Sequence, residues 1–332
     1  YMSLSGKVKD IVDELGGLSL GRPYSGASYS ISKNGRYAFT YGNVYNPSDL
    51  ASGYNGSKNR LTDLNKDLFD YKKLGKVEEV WYESTFDGRK VQGWLVYPPN
   101  FDSSKKYPLI LEIHGGPFTN YGFRFSAEVQ LFASKGYFVL YTNPRGSTSY
   151  GKDFANLIHH NYPSQDYDDL MSGVDYVLEK GYIDNDNLFV TGGSGGGVLT
   201  SWVVGKTDRF NAAVVAKPVI NWYSFVLYAD NISFFYKYWF SGMPWDNLEE
   251  YMKRSPISYV GNVKTPTMLL TGEDDYRTPM AESEQFYAGL KLNKVESMLV
   301  RIPGASHGIA EKPSNLIAKV NAITAWFDKY RK

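Results

Sequence analysis

The stretch Leu188-Phe-Val-Thr-Gly-Gly-Ser-Gly-Gly-Gly-Val-Leu-Thr200 constrains this chain more than any other. Leu188 to Thr191 suit a buried parallel strand, the glycines around Ser194 break it, and Val198 to Val204 resume in a form that suits a helix. Within it, Gly192-Gly193-Ser194-Gly195-Gly196 fits the pattern G-x-S-x-G, in which small residues let the chain turn tightly enough to expose a serine hydroxyl above a sheet. Phosphate-binding alternatives fail on the residues. The dinucleotide pattern G-x-G-x-x-G would need glycine where Val198 and Thr200 stand, and the P-loop lacks its Gly-Lys-Ser/Thr. A glycine-rich pattern is weak alone in a chain with 32 glycines, so the rest of the sequence must decide its meaning.

From Val77 onward, apolar runs alternate with helical patterns. Strands are predicted at 77–82, 91–97, 109–113, 138–142, 188–191, 212–216, 268–271 and 297–302, the first two joined by a turn at Asp87-Gly88. Helices are predicted at 127–135, 166–180, 197–205, 281–292 and 313–330. Such alternation predicts a mostly parallel sheet with helices on both faces over residues 76–332, and the order of the candidate catalytic serine, acid and histidine makes the expected fold an α/β-hydrolase. Residues 1–75 read differently, as a small β segment. Ser28–Tyr41 alternates about Asn34-Gly35 as a hairpin does, Asn46–Asn65 reads as a polar loop, and Asp67–Tyr71 as a further strand.

Composition removes several function classes. With 36 basic and 35 acidic residues the chain carries no bulk field for nucleic acid or an anionic membrane. Absence of cysteine excludes disulfides, thiolate zinc sites and a cysteine nucleophile, while leaving the compartment open. No run approaches the ~20 apolar residues of a membrane span. A cytoplasmic location is expected, with a processed extracytoplasmic form as the alternative. No cofactor or metal is expected; His159 and His160, placed on a helix and facing different directions, read as structural or surface residues.

In a sheet of this kind, catalytic groups gather at the carboxyl ends of the strands. Strand 188–191 ends at Ser194, strand 268–271 at Glu273-Asp274-Asp275, and strand 297–302 at His307. Serine, acid and histidine thus occur in the chain order of an α/β-hydrolase triad. Of the 4 histidines only His307 follows the acids. Residue type alone leaves the acid open among the three neighbours. The glycines of Glu112-Ile-His-Gly-Gly-Pro117 close strand 109–113, and the backbone N–H groups of Gly116 and Gly195 are assigned as oxyanion donors, with His114 bracing that loop.

With these residues in place the chain resembles the catalytic domain of the prolyl oligopeptidase family of serine peptidases, in particular its acylaminoacyl-peptidase-like branch. The resemblance covers roughly residues 77–330 and rests on His114-Gly-Gly-Pro-Phe118, Asn143-Pro-Arg-Gly-Ser147, Gln165-Asp-Tyr-Asp-Asp169, the turn at Ser194, Asp275-Tyr-Arg-Thr-Pro279 and Gly304-Ala-Ser-His-Gly308. It implies Asp275 as the triad acid, Arg277 as a substrate contact, and Trp222 and Phe225 as the pocket for the residue before the scissile bond, with Phe234–Phe240 as its cover. The family's tyrosine after the serine is replaced by Gly195, and the β-propeller that limits substrates to short peptides is absent from the residues before the hydrolase. The hairpin at 28–41 resembles part of a final propeller blade, so the expectation is a C-terminal portion of a longer protein.

The expected function is therefore a serine peptidase that cleaves short peptides near the N-terminus, releasing an acylaminoacyl or aminoacyl group through an acyl-enzyme. The alternatives are a carboxylesterase and, further off, a non-catalytic binding protein. Homo-oligomerisation is left open.

Overall fold

The computed structural model describes residues 2–332, which fall into two compact units: residues 2–74 with 121–130, and residues 75–120 with 131–332. In the first, β1 (Tyr29–Ile31), β2 (Tyr37–Tyr41), β3 (Asp49–Tyr54) and β4 (Ser57–Arg60) form an antiparallel sheet in sequence order. The β1–β2 pair is the expected hairpin, with Gly35 at φ 82°. The polar stretch expected as a loop instead supplies β3 and β4, joined at Asn55-Gly56 with φ 48° and 84°. Both turn residues have the left-handed backbone that a tight hairpin requires. Because β4 is an edge strand exposed along its whole length, its Ser-Lys-Asn-Arg sequence lacks the apolar alternation that marks a strand.

The expected strand Asp67–Tyr71 is a short helix, Lys66–Phe69, held by an ion pair of 2.6 Å from Lys66 to Asp70 one turn on. Segment 121–130 groups with the N-terminal residues: Tyr121 packs against Tyr24 with ring centroids 4.8 Å apart and planes tilted by 57°, and Glu128 pairs with Arg22 at 3.5 Å.

The larger unit is built on an eight-stranded sheet. Its strands are β5 (Val77–Glu83), β6 (Lys90–Val96), β7 (Tyr107–Ile113), β8 (Phe138–Asn143), β9 (Ile183–Gly193), β10 (Ala212–Ala216), β11 (Thr267–Gly272) and β12 (Ser297–Ile302). Their spatial order is β12-β11-β10-β9-β7-β8-β6-β5; β5, β6 and β8 pair antiparallel and all remaining neighbours parallel. This is the mixed sheet of an α/β-hydrolase. The central strands are buried on both faces because helices cover them, which is why they read as unbroken apolar runs. Helix Gly195–Lys206 is buried from Gly195 to Gly205 and apolar on every side, so it forms part of the core rather than a surface layer.

His159 and His160 depart from the expectation. They follow a 3₁₀ turn, Asn156–Ile158, and with His160 at φ 51° their rings stack 3.9 Å apart instead of diverging.

Candidate active site

Ser194 sits between β9 and helix Gly195–Lys206 at φ 61°, ψ −121°, a conformation that a serine adopts only when its surroundings enforce it. Its own N–H donates to the carbonyls of Ala216 and Lys217, both at 3.1 Å. The flanking glycines are demanded by close backbone approach. A Cβ on Gly192 would lie 2.4 Å from the Gly196 carbonyl oxygen, and one on Gly196 would lie 2.1 Å from that of Ile113. No side chain fits at either point, so strand and helix can be joined this tightly only through glycine.

The ends of β11 and β12 bring the other two groups to Ser194. His307 Nε2 is 3.1 Å from Ser194 Oγ, and His307 Nδ1 is 2.9 and 3.1 Å from the two oxygens of Asp275. Asp275 also accepts from the N–H groups of Arg277 (3.0 Å) and Thr278 (2.9 Å) and from the Thr278 hydroxyl (3.0 Å). Burial raises the pKa of this carboxyl, but the bonds from His307 and Thr278 outweigh it and hold the group below its ordinary range. Asp274 instead turns its N–H to the Ala305 carbonyl. Burial lowers the pKa of His307, opposed by the bond to Asp275 and assisted by the charges of Lys217 and Arg277; the net effect is downward from the ordinary imidazole value, which favours the neutral ring. A neutral imidazole with Nδ1–H directed to a carboxylate leaves Nε2 free to accept the serine proton.

Gly116, at φ 117°, lies over the start of the helix: a Cβ on Gly195 would meet its N and C at 3.1 Å. The N–H groups of Gly116 and Gly195 have no acceptor among the described residues, and both residues line the same cavity as Ser194. The loop carrying Gly116 is braced from beneath. His114 contacts the Gly115 carbonyl at 2.6 Å through Nδ1 and the Ser147 hydroxyl at 2.9 Å through Nε2. Arg145, two residues earlier, is buried and gives its backbone N–H and guanidinium to Asp169 at 2.7 Å each. Two motifs distant in sequence, Asn143–Ser147 and Gln165–Asp169, are therefore joined by one buried ion pair.

Beside Ser194 is a cavity of about 280 Å³. Trp222 and Phe225 line it, as do Phe234, Phe235 and Trp239 from helix Ile232–Trp239, so the aromatic run forms part of the wall. Tyr162 completes this wall. Its role was not legible in the sequence, since a lone Tyr beside a Pro carries no pattern. It is buried, lines the cavity, and donates its hydroxyl to the Gly195 carbonyl at 2.8 Å. Arg277 also lines the cavity while its Nε donates to Asp230 at 2.6 Å, so it both faces the site and forms a loop salt bridge. No group of three or more His, Asp or Glu suited to a metal occurs among the described residues. No helix among them is long and apolar enough to cross a membrane.

The chain is 41% identical over 288 residues to an uncharacterized peptidase, YuxL, of Bacillus subtilis, covering 86% of this chain and 44% of that protein. It is 32% identical over 304 residues to dipeptidyl-peptidase 5 of Aspergillus oryzae, covering 88% and 40%. Among solved structures, acylaminoacyl peptidase of Pyrococcus horikoshii superposes with a TM-score of 0.86 at 29% identity, covering 92% of this chain and 49% of that one. The chain thus spans less than half the length of these relatives. A sequence model of the prolyl oligopeptidase family matches residues 123–332, a span that includes Ser194, Asp275 and His307, and the chain belongs to that family.

Proposed function

We propose that this protein is a serine peptidase that cleaves short peptides near their N-terminus, releasing an acylaminoacyl or aminoacyl group. The observation that carries this reading is the relay from Ser194 through His307 to Asp275, opening beside an aromatic cavity at two backbone N–H groups without acceptors. Resemblance to acylaminoacyl peptidase supports the substrate class.

In this mechanism His307 Nε2 takes the proton of Ser194 Oγ as that oxygen attacks the peptide carbonyl. The tetrahedral oxyanion accepts from Gly116 and Gly195 N–H, and such a donor is typically worth about 10²–10³ in rate. The imidazolium, stabilised by Asp275, protonates the leaving amine, and the acyl group stays on Ser194. Water then enters and gives its proton to His307 as its oxygen attacks the acyl carbonyl, and His307 returns that proton to Ser194 Oγ as the acyl–serine bond breaks and the acid leaves. Cavity walls of Tyr162, Trp222, Phe225 and Trp239 receive the side chain before the scissile bond.

A panel of acylaminoacyl, free aminoacyl and prolyl anilides with simple esters, run on wild type and Ser194→Ala, tests the proposal. Turnover of anilides by wild type alone is the expected result. Turnover of esters only would replace the peptidase by a carboxylesterase, and failure both to turn over any substrate and to react with a fluorophosphonate would remove catalysis altogether.

A further inference from the structure

Glu282 lies on the first turn of helix Met280–Leu292, 1% exposed, and takes no part in the relay. Its carboxylate accepts from the N–H groups of Ile220 (2.7 Å) and Asn221 (2.9 Å) through one oxygen, and from the Ser224 hydroxyl (2.9 Å) and the Gln285 amide (3.5 Å) through the other. All of these partners are neutral donors, and no charged group is among the influences on this carboxyl. A buried carboxylate without a counter-ion is costly, and burial outweighs these bonds in raising its pKa. Packing alone would be served better by an apolar residue, so the position of those donors matters.

The donors belong to the turn that delivers the cavity wall. Asn221 caps helix Trp222–Tyr228, its side-chain oxygen accepting from Tyr223 N–H at 3.2 Å and its amide reaching Gln285 at 3.1 Å. Trp222 and Phe225, the wall residues, follow at once. The helix that bears Glu282 begins two residues after Thr278, which holds Asp275, and Glu282 N–H is tied back to the carbonyl of the intervening Pro279 at 2.9 Å. One carboxylate therefore joins the loop of the triad acid to the wall of the cavity.

We infer that Glu282 is a specificity-positioning residue, which fixes the aromatic wall at Trp222 and Phe225 relative to Ser194 so that a bulky apolar side chain is held beside the serine. This rests on the proposed peptidase function. Glu282 touches neither substrate nor the reacting groups; its effect falls on the binding of large side chains, and the reactivity of Ser194 is independent of it.

The test compares acetyl-Phe and acetyl-Ala anilides on wild type, Glu282→Ala and Glu282→Gln, with the rate of Ser194 labelling by a small fluorophosphonate measured on each. In Glu282→Ala, kcat/KM for the Phe substrate is expected to fall about thirtyfold, mainly in KM, that for the Ala substrate by less than about threefold, and labelling to be unchanged. Glu282→Gln is expected to restore the Phe-to-Ala ratio to within about threefold, because its oxygen still serves the two backbone donors while its amide can donate to Ser224. Equal losses on both substrates, slowed labelling, or an unchanged ratio in Glu282→Ala overturns the inference alone. Wild type that neither labels nor turns over either anilide overturns the peptidase reading and the inference with it. Should Glu282→Ala prove unfolded by circular dichroism, the ratio is read on the double variant Ser224→Ala with Gln285→Ala. There a loss of about threefold is expected, and no change overturns the inference.

Discussion

Replacing Asp275 by Asn removes one charge, and its consequence can be followed atom by atom. One oxygen of Asp275 accepts two backbone N–H groups, from Arg277 at 3.0 Å and Thr278 at 2.9 Å, and must stay an oxygen in the variant. The new amide nitrogen then occupies the other position, 2.9 Å from His307 Nδ1 and 3.0 Å from the Thr278 hydroxyl. An amide there donates to Nδ1, which forces the imidazole proton onto Nε2. Nε2 can then no longer accept from Ser194 across 3.1 Å. The geometry survives but the tautomer is wrong, a defect worth about 10⁴ in kcat, or about 5.4 kcal/mol. The pH profile should move as well. The base must be neutral, so activity is lost as pH falls through the His307 pKa, which in wild type is lowered from the ordinary imidazole value by burial. Asp275 raises that pKa, and its loss should move the acidic limb to still lower pH. The assay is kcat/KM for an acylaminoacyl anilide across the pH range, with circular dichroism to establish that the variant is folded. A folded Asp275→Asn enzyme within tenfold of wild type, or an acidic limb displaced upward, would refute the reasoning.

Two further outcomes test the frame around the site. Gly192→Ala places a methyl group 2.4 Å from the Gly196 carbonyl oxygen, against backbone that cannot yield, and should cost about 1–3 kcal/mol in urea unfolding; a wild-type midpoint would count against the tight turn. Asp169→Ala strips the main acid from a guanidinium buried to 4% exposure, leaving only Asp87 at 3.2 Å, and should cost about 3–5 kcal/mol in the same measurement; a loss below about 1 kcal/mol would show that the pair contributes little to the fold.

Much of the larger unit was legible because its elements obey local rules. Buried parallel strands are apolar runs, each helix covers a face, and the G-x-S-x-G pattern places glycine at Gly192 and Gly196, the two points where backbone approaches too closely for a side chain. The smaller unit was harder to read. The edge strand Ser57–Arg60 has no apolar face to advertise it, and Lys66–Phe69 is too short for a helical period.

The chain by itself determined which residue types could meet. Serine, acid and histidine stand in order after three strands, only one histidine follows the acids, and glycines flank the serine where a tight turn is needed. Tertiary structure decided which atoms do meet. It turns Asp275 rather than Asp274 to the imidazole, seats Tyr162 against the Gly195 carbonyl, links Arg145 to Asp169, and sets Glu282 beneath the turn that carries Trp222. Each of these contacts joins segments that lie far apart along the chain or on different elements. Strand order and loop path set such contacts, and no spacing in the sequence records them.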